Sequence, residues 1–165
     1  MPDVAERSSE LDQGREAFAR SAWLAAYEGL SAADATAPLA PADLERLGRA
    51  AYMIARDDDY VGAFEHAHRA YLDAGDRRAA VLCGFWIGHN LLFRGEGGRA
   101  AGWFARAQRM LEGELADCAE RGYVLQARML EHEFLGDFDG AARWPGKSST
   151  SASGSRTGIS SPSVR

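Results

Sequence analysis

The sequence has little cysteine, little proline and no excess of positive charge. Its 165 residues include two cysteines and five prolines, and the formal net charge is −5. Two cysteines, Cys83 and Cys118, do not suggest a disulfide framework, so a reducing cytoplasm is the expected location. The acidic balance argues against the basic face that nucleic acid requires, and we expect no direct nucleic-acid binding. No membrane partner is expected, because no apolar run could cross a bilayer and the polar segment Met1–Asp12 does not resemble a signal peptide.

Alanine is the most frequent residue, and hydrophobic residues make up 46% of the chain. Alanine has the highest helix propensity because it loses no side-chain entropy in a helix. Small residues also allow helices to approach closely. The composition therefore predicts an all-α protein with closely packed helices.

Large and small apolar residues are spaced at a repeated interval of 37. Trp23, Tyr60 and Gly97 share this spacing. Two further sets with the same interval are Ala26, Ala63 and Ala100, and Leu30, Ala67 and Phe104. One helical hairpin cannot bury its own apolar face, whereas several stacked hairpins bury a continuous core. The interval predicts an α-solenoid of about three helical hairpins plus a partial fourth, followed by a disordered C-terminal tail.

We expect a flexible N-terminus over residues 1–10, a repeat domain over 11–144 and a disordered serine-rich tail over 145–165. Eight of the nineteen residues from Lys147 onward are serine, which is too polar a composition to form a core. Ser31–Ala40 is predicted to be a linker, Pro41 to lie in a first helical turn and Asp59 to be an N-cap. The predicted helices are Leu11–Arg20, Ala22–Leu30, Pro41 to about Arg56, Tyr60–Leu72, Arg77–Arg94, Arg99–Glu112, Leu115–Leu135 and Phe138–Trp144.

The alternation of small and large residues resembles tetratricopeptide repeats over roughly Gly14 to Ala142. It departs from that family in its longer period, in the absence of the closing proline, and in Leu47 and Gly84 at the consensus tryptophan position. What the resemblance implies is a superhelical array of hairpins with a concave binding face.

Several phrases also resemble the helical-repeat regions of bacterial LuxR-type transcriptional regulators. They are GREAFARSAW, AYLDAGDRRAA, LLFRGEGGRAAGWFARAQRMLE and FLGDFDGAA. In that group such repeats precede a helix-turn-helix domain that binds DNA, and no helix-turn-helix follows here. The repeat register stops at Ala142, inside a predicted helix, and this break suggests a frameshift, a truncation or a fusion.

Four motifs contain residues that could take part in catalysis or ligand binding, but none of them fits a catalytic, cofactor or metal site. Gly146–Ser149 ends like a phosphate-binding loop but lacks the preceding glycine and strand, and Gly95–Gly98 is better explained as a hairpin turn. Asp57–Asp59 lacks the alternate spacing of calcium ligands, and His66 and His68 point to nearly opposite sides of a helix. We therefore expect no enzymatic activity, no cofactor and no metal, and we interpret both cysteines as small buried residues.

The tetratricopeptide register predicts a concave interaction face that could hold a peptide or a helix. The alternative is that these side chains pack against the next hairpin. In that case, polar substitutions of Phe85 and Tyr123 would abolish folding rather than binding alone. The predicted face consists of Tyr52, Arg56, Phe85, His89, Phe93, Tyr123 and Gln126.

These features favour a non-catalytic protein–protein interaction scaffold, expected to be the repeat portion of a cytoplasmic signalling or transcriptional regulator. A truncated LuxR-type DNA-binding regulator and a non-functional fragment are the alternatives. The helix Leu115–Leu135 would expose apolar side chains without a complete partner helix, so self-association is also expected. Those side chains are Tyr123, Leu125, Leu130 and Phe134.

Overall fold

The computed structural model describes residues 4–112 together with 122, 123 and 126. Within that part of the chain the ordered elements are α-helices and no strand is present, so the predicted all-α class is confirmed. The helices are α1 (Val4–Ala19), α2 (Trp23–Thr36), α3 (Pro41–Met53), α4 (Asp57–Asp73), α5 (Arg77–Phe93) and α6 (Gly97–Leu111). The helices predicted beyond residue 112, the tail and Cys118 lie outside the described ranges, apart from Gly122, Tyr123 and Gln126, which are helical.

The six helices form three hairpins that contact one another in chain order. α1 packs on α2, α3 on α4 and α5 on α6, and the hairpins meet where α2 contacts α3 and α4 contacts α5. α1 also contacts α3. Short turns make the two helices of each hairpin antiparallel neighbours.

Each hairpin turn has the same backbone geometry. One residue adopts a left-handed conformation, and the N–H of the next residue donates to a carbonyl in the last turn of the first helix. The left-handed residues are Ser21 (φ 58°), Ala55 (φ 58°) and Gly95 (φ 80°). The corresponding hydrogen bonds join Ala22 to Ala17, Arg56 to Ala51 and Glu96 to Leu91, each at 2.9 Å. The prediction that the Gly95–Gly98 segment is a hairpin turn with a positive φ is confirmed at Gly95.

A glycine in the first helix of each hairpin faces a large side chain of the second. A Cβ placed on Gly14 would lie 2.9 Å from Leu30, one on Gly48 2.6 Å from Phe64, and one on Gly88 2.5 Å from Phe104. Such separations are too short for carbon atoms in contact. The glycines therefore let the two helices of each hairpin cross closely, and the large side chains fill the space.

These contacts give a repeat register that differs from the predicted one. The three glycines, their large partners and the three left-handed residues are all separated by 34 residues and then by 40. The predicted interval of 37 is the mean of the two. It aligns the first unit correctly with the third, but it displaces the second unit by three residues. Three residues make almost one helical turn, so the wrong register still places small residues near the same face.

Several predicted helix boundaries are also wrong. α1 begins at Val4, seven residues before the predicted Leu11, and α2 continues through half of the predicted linker to Thr36. α4 begins at Asp57, so Asp59 lies in its first turn and is not the N-cap. Three aspartates in a first turn are stabilised there by the helix dipole. Pro41 occupies the first turn of α3, as predicted.

The first junction, between the hairpins α1–α2 and α3–α4, contains a buried carboxylate. Asp43 is 1% exposed and receives Arg15 Nη2 at 2.6 Å and Arg15 Nε at 3.0 Å. Arg46 Nη1 donates to the same carboxylate at 2.6 Å. The two charge-assisted hydrogen bonds from Arg15, together with the one from Arg46, hold the pKa of Asp43 below its ordinary value.

In the second junction, between α3–α4 and α5–α6, the buried hydrogen bonds are made by neutral groups, and the ion pair of Arg94 with Asp58 lies at the exposed edge. Nδ1 of His68, a residue that is 1% exposed, lies 2.8 Å from the carbonyl oxygen of Ala80, and the Tyr60 hydroxyl donates to the carbonyl of Trp86 at 3.1 Å. The His68 ring also meets Trp103 edge-on at 5.2 Å between centroids. Burial lowers the pKa of His68, so the neutral imidazole is favoured in the fold.

Cys83 is a free, buried thiol in the core, as the sequence predicted. Burial raises its pKa to about 12, which keeps the sulfur protonated and unreactive at neutral pH. Among the described helices none has the length and apolarity that a membrane span requires.

Candidate partner-binding cleft

A cleft of about 930 Å³ runs along one face of the three hairpins. This volume falls in the range of about 300–1,000 Å³ that is usual for ligand pockets. α1 to α5 and the turn after α5 contribute side chains to it, and most of them are apolar. The lining residues are Phe18, Trp23, Arg49, Tyr52, Met53, Asp57, Tyr60, Phe64, Trp86, His89, Asn90, Phe93 and Arg94.

Exposed apolar side chains concentrate at this cleft. Tyr52 is 56% exposed, Met53 52%, Trp86 37% and Phe93 60%. These four residues belong to the first helices of the second and third hairpins, which place them along one face. Clustered exposed apolar side chains rimmed by polar groups mark binding surfaces in soluble proteins.

A buried aromatic group supports the exposed one. The Tyr60 ring lies 5.5 Å from that of Tyr52 and 4.6 Å from that of Phe64, between centroids. Tyr60 is 7% exposed, and burial raises the pKa of its hydroxyl well above the ordinary value. The hydroxyl therefore remains a donor to the Trp86 carbonyl and fixes this part of the cleft.

The wall formed by α5 is a run of aromatic rings at helical spacing. His89 stacks at 5.7 Å from Trp86 and at 4.7 Å from Phe93, between ring centroids. Burial lowers the pKa of His89, so its imidazole is neutral near pH 7. These neutral rings line the α5 side of the cleft.

The polar groups of the cleft are few, and the cations among them have carboxylate partners. Arg49 pairs with Glu45 at 3.0 Å. Arg94 pairs with Asp58 at 2.9 Å and with Glu96 at 3.0 Å. Asp57 accepts a hydrogen bond from the Asn90 amide nitrogen at 3.3 Å.

The residues of the predicted concave face do not all reach the cleft. Tyr52, His89 and Phe93 line it. Arg56 does not; its guanidinium lies over the Tyr27 ring at 4.9 Å and pairs with Asp59 at 3.4 Å.

Phe85 and the residues beyond α6 are placed differently. Phe85 is 3% exposed and packs in the core against Phe104 of its own hairpin, so it does not form part of an open face. Tyr123 is 44% exposed, and its ring lies 5.4 Å from Phe85 and 6.4 Å from Trp86. Gln126 is helical and exposed.

Sequence reasoning missed Trp23, Met53 and Trp86, and the corrected register supplies the signal that would have found two of them. Forty residues separate Met53 from Phe93 and Arg49 from His89, and all four residues line the cleft. Trp86 lies three residues before His89, almost one helical turn, and therefore shares the face of His89 and Phe93. Trp23 is half-buried at the start of α2.

The aspartates and histidines of the described part do not converge. In that part of the chain no group of three His, Cys, Asp or Glu side chains could hold a metal ion. Asp57, Asp58 and Asp59 bind Asn90, Arg94 and Tyr27, respectively. His66 is exposed, whereas His68 is buried.

Comparisons of the chain with protein-family models, with curated proteins and with solved structures each give no match. A functional assignment must therefore be argued from the cleft itself.

Proposed function

We propose that the chain is a tetratricopeptide-like interaction scaffold that holds a segment of a partner protein in the cleft. The observation that carries the proposal is the concentration of exposed aromatic and apolar side chains in one cleft, whose volume is about 930 Å³. Tyr52, Met53 and Phe93 are each more than half exposed, and leaving them in water is unfavourable unless another surface covers them.

The spacing of the hairpin contacts supports the tetratricopeptide-like assignment. The first two units are 34 residues apart, which is the period of that family. In the corrected register Leu47–Gly48 matches the Leu-Gly pair of the family pattern, so Leu44 and not Leu47 stands at the tryptophan position. Ala100 with Phe104 matches the Ala-x-x-x-Phe spacing. The third unit, at 40 residues, departs from the period.

A cleft lined by side chains of several successive helices favours an extended or helical peptide over a flat globular surface. A single apolar helix or strand can present side chains to a concave groove along its length. The ring faces of Trp86, His89 and Phe93 offer a wall for such side chains, and Tyr52 and Met53 lie on the α3 side.

A selection from a displayed library of random 12-residue peptides tests the proposal. The immobilised chain should enrich peptides that compete with one another and bind with micromolar dissociation constants. The Phe93→Ser and Tyr52→Ser variants should each weaken these peptides about tenfold, since each removes an exposed aromatic contact.

Leu24→Ser is the matched control, because Leu24 is 56% exposed but does not line the cleft. It should leave the affinities unchanged. If no peptides are enriched, or if Leu24→Ser weakens them as much as Phe93→Ser does, the proposal is wrong.

The proposed scaffold does no chemistry, and we place it in a cytoplasmic signalling or transcriptional regulator. This placement depends on the phrases that resemble LuxR-type repeat regions, such as LLFRGEGGRAAGWFARAQRMLE. The prediction that this chain does not itself bind DNA is checked by electrophoretic retardation at physiological salt. A retarded complex with duplex DNA would contradict it.

A further inference from the structure

We propose that the cleft selects a partner segment carrying an arginine or lysine, whose cationic end is received by Asp57 and the surrounding aromatic rings. The inference rests on the proposed function, because it names the chemistry of the segment that the cleft holds. Three observations on the described residues support it.

The first observation is the charge balance at the cleft. Each arginine of the lining has a carboxylate partner, Arg49 in Glu45 and Arg94 in both Asp58 and Glu96. Asp57 forms no ion pair within 4.0 Å among the described residues and receives a hydrogen bond from a neutral amide only, although it adds to the negative field of Asp58 and Glu96 that raises the pKa of Arg94. The unmatched charge of the lining is therefore negative, so a cation complements it and an acidic group does not.

The second observation is an unsatisfied acceptor beside that carboxylate. An ionised carboxylate can only accept hydrogen bonds, so the Asn90 nitrogen must face Asp57 and the Asn90 oxygen must face away. Asn90 is 7% exposed, and within the described structure its Oδ1 is buried without a hydrogen-bond partner. A small shift of the amide would let this oxygen accept from a guanidinium or ammonium group that also meets Asp57.

The third observation is that aromatic rings line the same cleft as these acceptors. Tyr52, Tyr60, Trp86 and Phe93 line the same cleft as Asp57. The negative face of an aromatic ring attracts cations, most strongly when water is excluded. The fold already contains two such contacts, Arg56 over Tyr27 and Arg106 over Trp103, at 4.9 and 5.3 Å from the ring centroids.

An array of 12-residue peptides tests the inference on the full chain. Each of several hundred apolar sequences is synthesised four times, with Arg, Lys, Gln or Glu at the central position. The wild-type chain should retain the Arg and Lys members about tenfold more strongly than their Gln partners, and the Glu members least.

Asp57→Asn removes the charge but keeps an oxygen that can accept from Asn90. It should reduce the preference for Arg and Lys over Gln to twofold or less. Asp73→Asn is the matched control, because it removes one acidic charge at the opposite end of α4, and it should keep the full preference. Thermal unfolding of both variants confirms that they are folded.

The outcomes separate this inference from the proposed function. Equal retention of Arg-, Lys- and Gln-centred peptides, a preference for Glu, or a preference that survives Asp57→Asn overturns the inference and leaves peptide binding standing. Failure to retain any peptide overturns both.

Discussion

The two junctions between hairpins are built by different chemistry. The first joins α1 to α3 through the buried carboxylate of Asp43, which accepts from Arg15 and Arg46. In the second, between α4 and α5, the buried hydrogen bonds come from neutral groups, the Tyr60 hydroxyl and the His68 imidazole, each bonded to a carbonyl. The ion pair of Asp58 with Arg94 lies at its exposed edge. The stack therefore uses charge where Arg15 and Arg46 remain partly in water, and neutral hydrogen bonds where the surroundings are aromatic.

This difference follows from what each junction can solvate. The side chains of Arg15 and Arg46 are 43% and 41% exposed, so their charges keep water while they satisfy Asp43. The His68 ring is enclosed by Trp103 and the helix backbones. A charge on it could not be hydrated and would therefore be costly. The cleft opens beside the second, aromatic junction, because Tyr60 and Trp86 serve both.

The largest effect is expected from Asp43→Ala, which breaks the first junction. It removes three charge-assisted hydrogen bonds, but the arginines left behind can be hydrated, so we expect a loss of about 2 kcal/mol in the free energy of unfolding. Urea denaturation measures it. Glu16→Ala, which removes the exposed pair with Arg20, should cost less than about 0.5 kcal/mol. Equal losses in the two variants would show that burial of Asp43 adds nothing to the free energy of unfolding.

A smaller effect is expected from Tyr60→Phe, which breaks one bond of the second junction. The Trp86 carbonyl loses its hydroxyl donor while the ring packing is kept, and the expected cost is about 1 kcal/mol. Tyr27→Phe removes an exposed hydroxyl bond to Asp59 and should cost less. If Tyr60→Phe leaves the free energy of unfolding unchanged, packing alone holds this junction.

Acid should weaken the two junctions in different pH windows. The pKa of His68 is lowered in the fold from 6.5, so the unfolded chain binds the proton more readily and stability falls as the pH decreases below about 6.5. Glu65 opposes this shift, whereas Arg69 and Arg106 add to it. The pKa of Asp43 is lowered from 3.8, so its contribution is present above that pH and is lost only below it.

His68→Asn isolates the upper window, because its amide can still donate to the Ala80 carbonyl but does not titrate. The fall in unfolding free energy between pH 7 and 5 should become smaller, with the remainder contributed in part by His89, whose pKa is also lowered. An unchanged pH dependence would contradict the assignment of this window to His68.

The smallest effect on stability is expected at the cleft surface. Phe93→Ser and Tyr52→Ser replace side chains that are 60% and 56% exposed, so each should change the free energy of unfolding by less than about 0.5 kcal/mol while peptide binding falls. A large loss of stability in either variant would mean that the side chain belongs to the core.

The sequence predicted the helical class and the hairpin architecture well, because alanine content and turn residues act locally. It did not predict the repeat register, since intervals of 34, 37 and 40 differ by nearly whole helical turns and alanine occurs at many of the competing positions. The contact of Gly48 with Phe64, which reveals the register, is a tertiary feature. α2 extends to Thr36 because Ala33 is buried, although Ser31 and Asp34 favour a loop.

The displaced register explains one of the two errors in the predicted interaction face. With an interval of 37, Arg56 aligns with Phe93 and joins the predicted face, whereas the structure aligns Met53 with Phe93 and leaves Arg56 outside the lining. Phe85 was assigned to the cleft although it lies one position before Trp86, and that step turns its side chain into the core. A one-residue difference on a helix cannot be resolved without the packing partners.

Photo-crosslinking tests the central claim, that the cleft is the binding surface, most directly. A benzoylphenylalanine is placed at Phe93 in one protein and at Leu24 in another, since both positions are exposed but Phe93 alone of the two lines the cleft. Each protein is irradiated with the tightest peptide from the library, and the adducts are mapped by mass spectrometry. If the peptide binds in the cleft, adducts form at position 93 and none form at position 24. Adducts at position 24 without any at position 93 would contradict it.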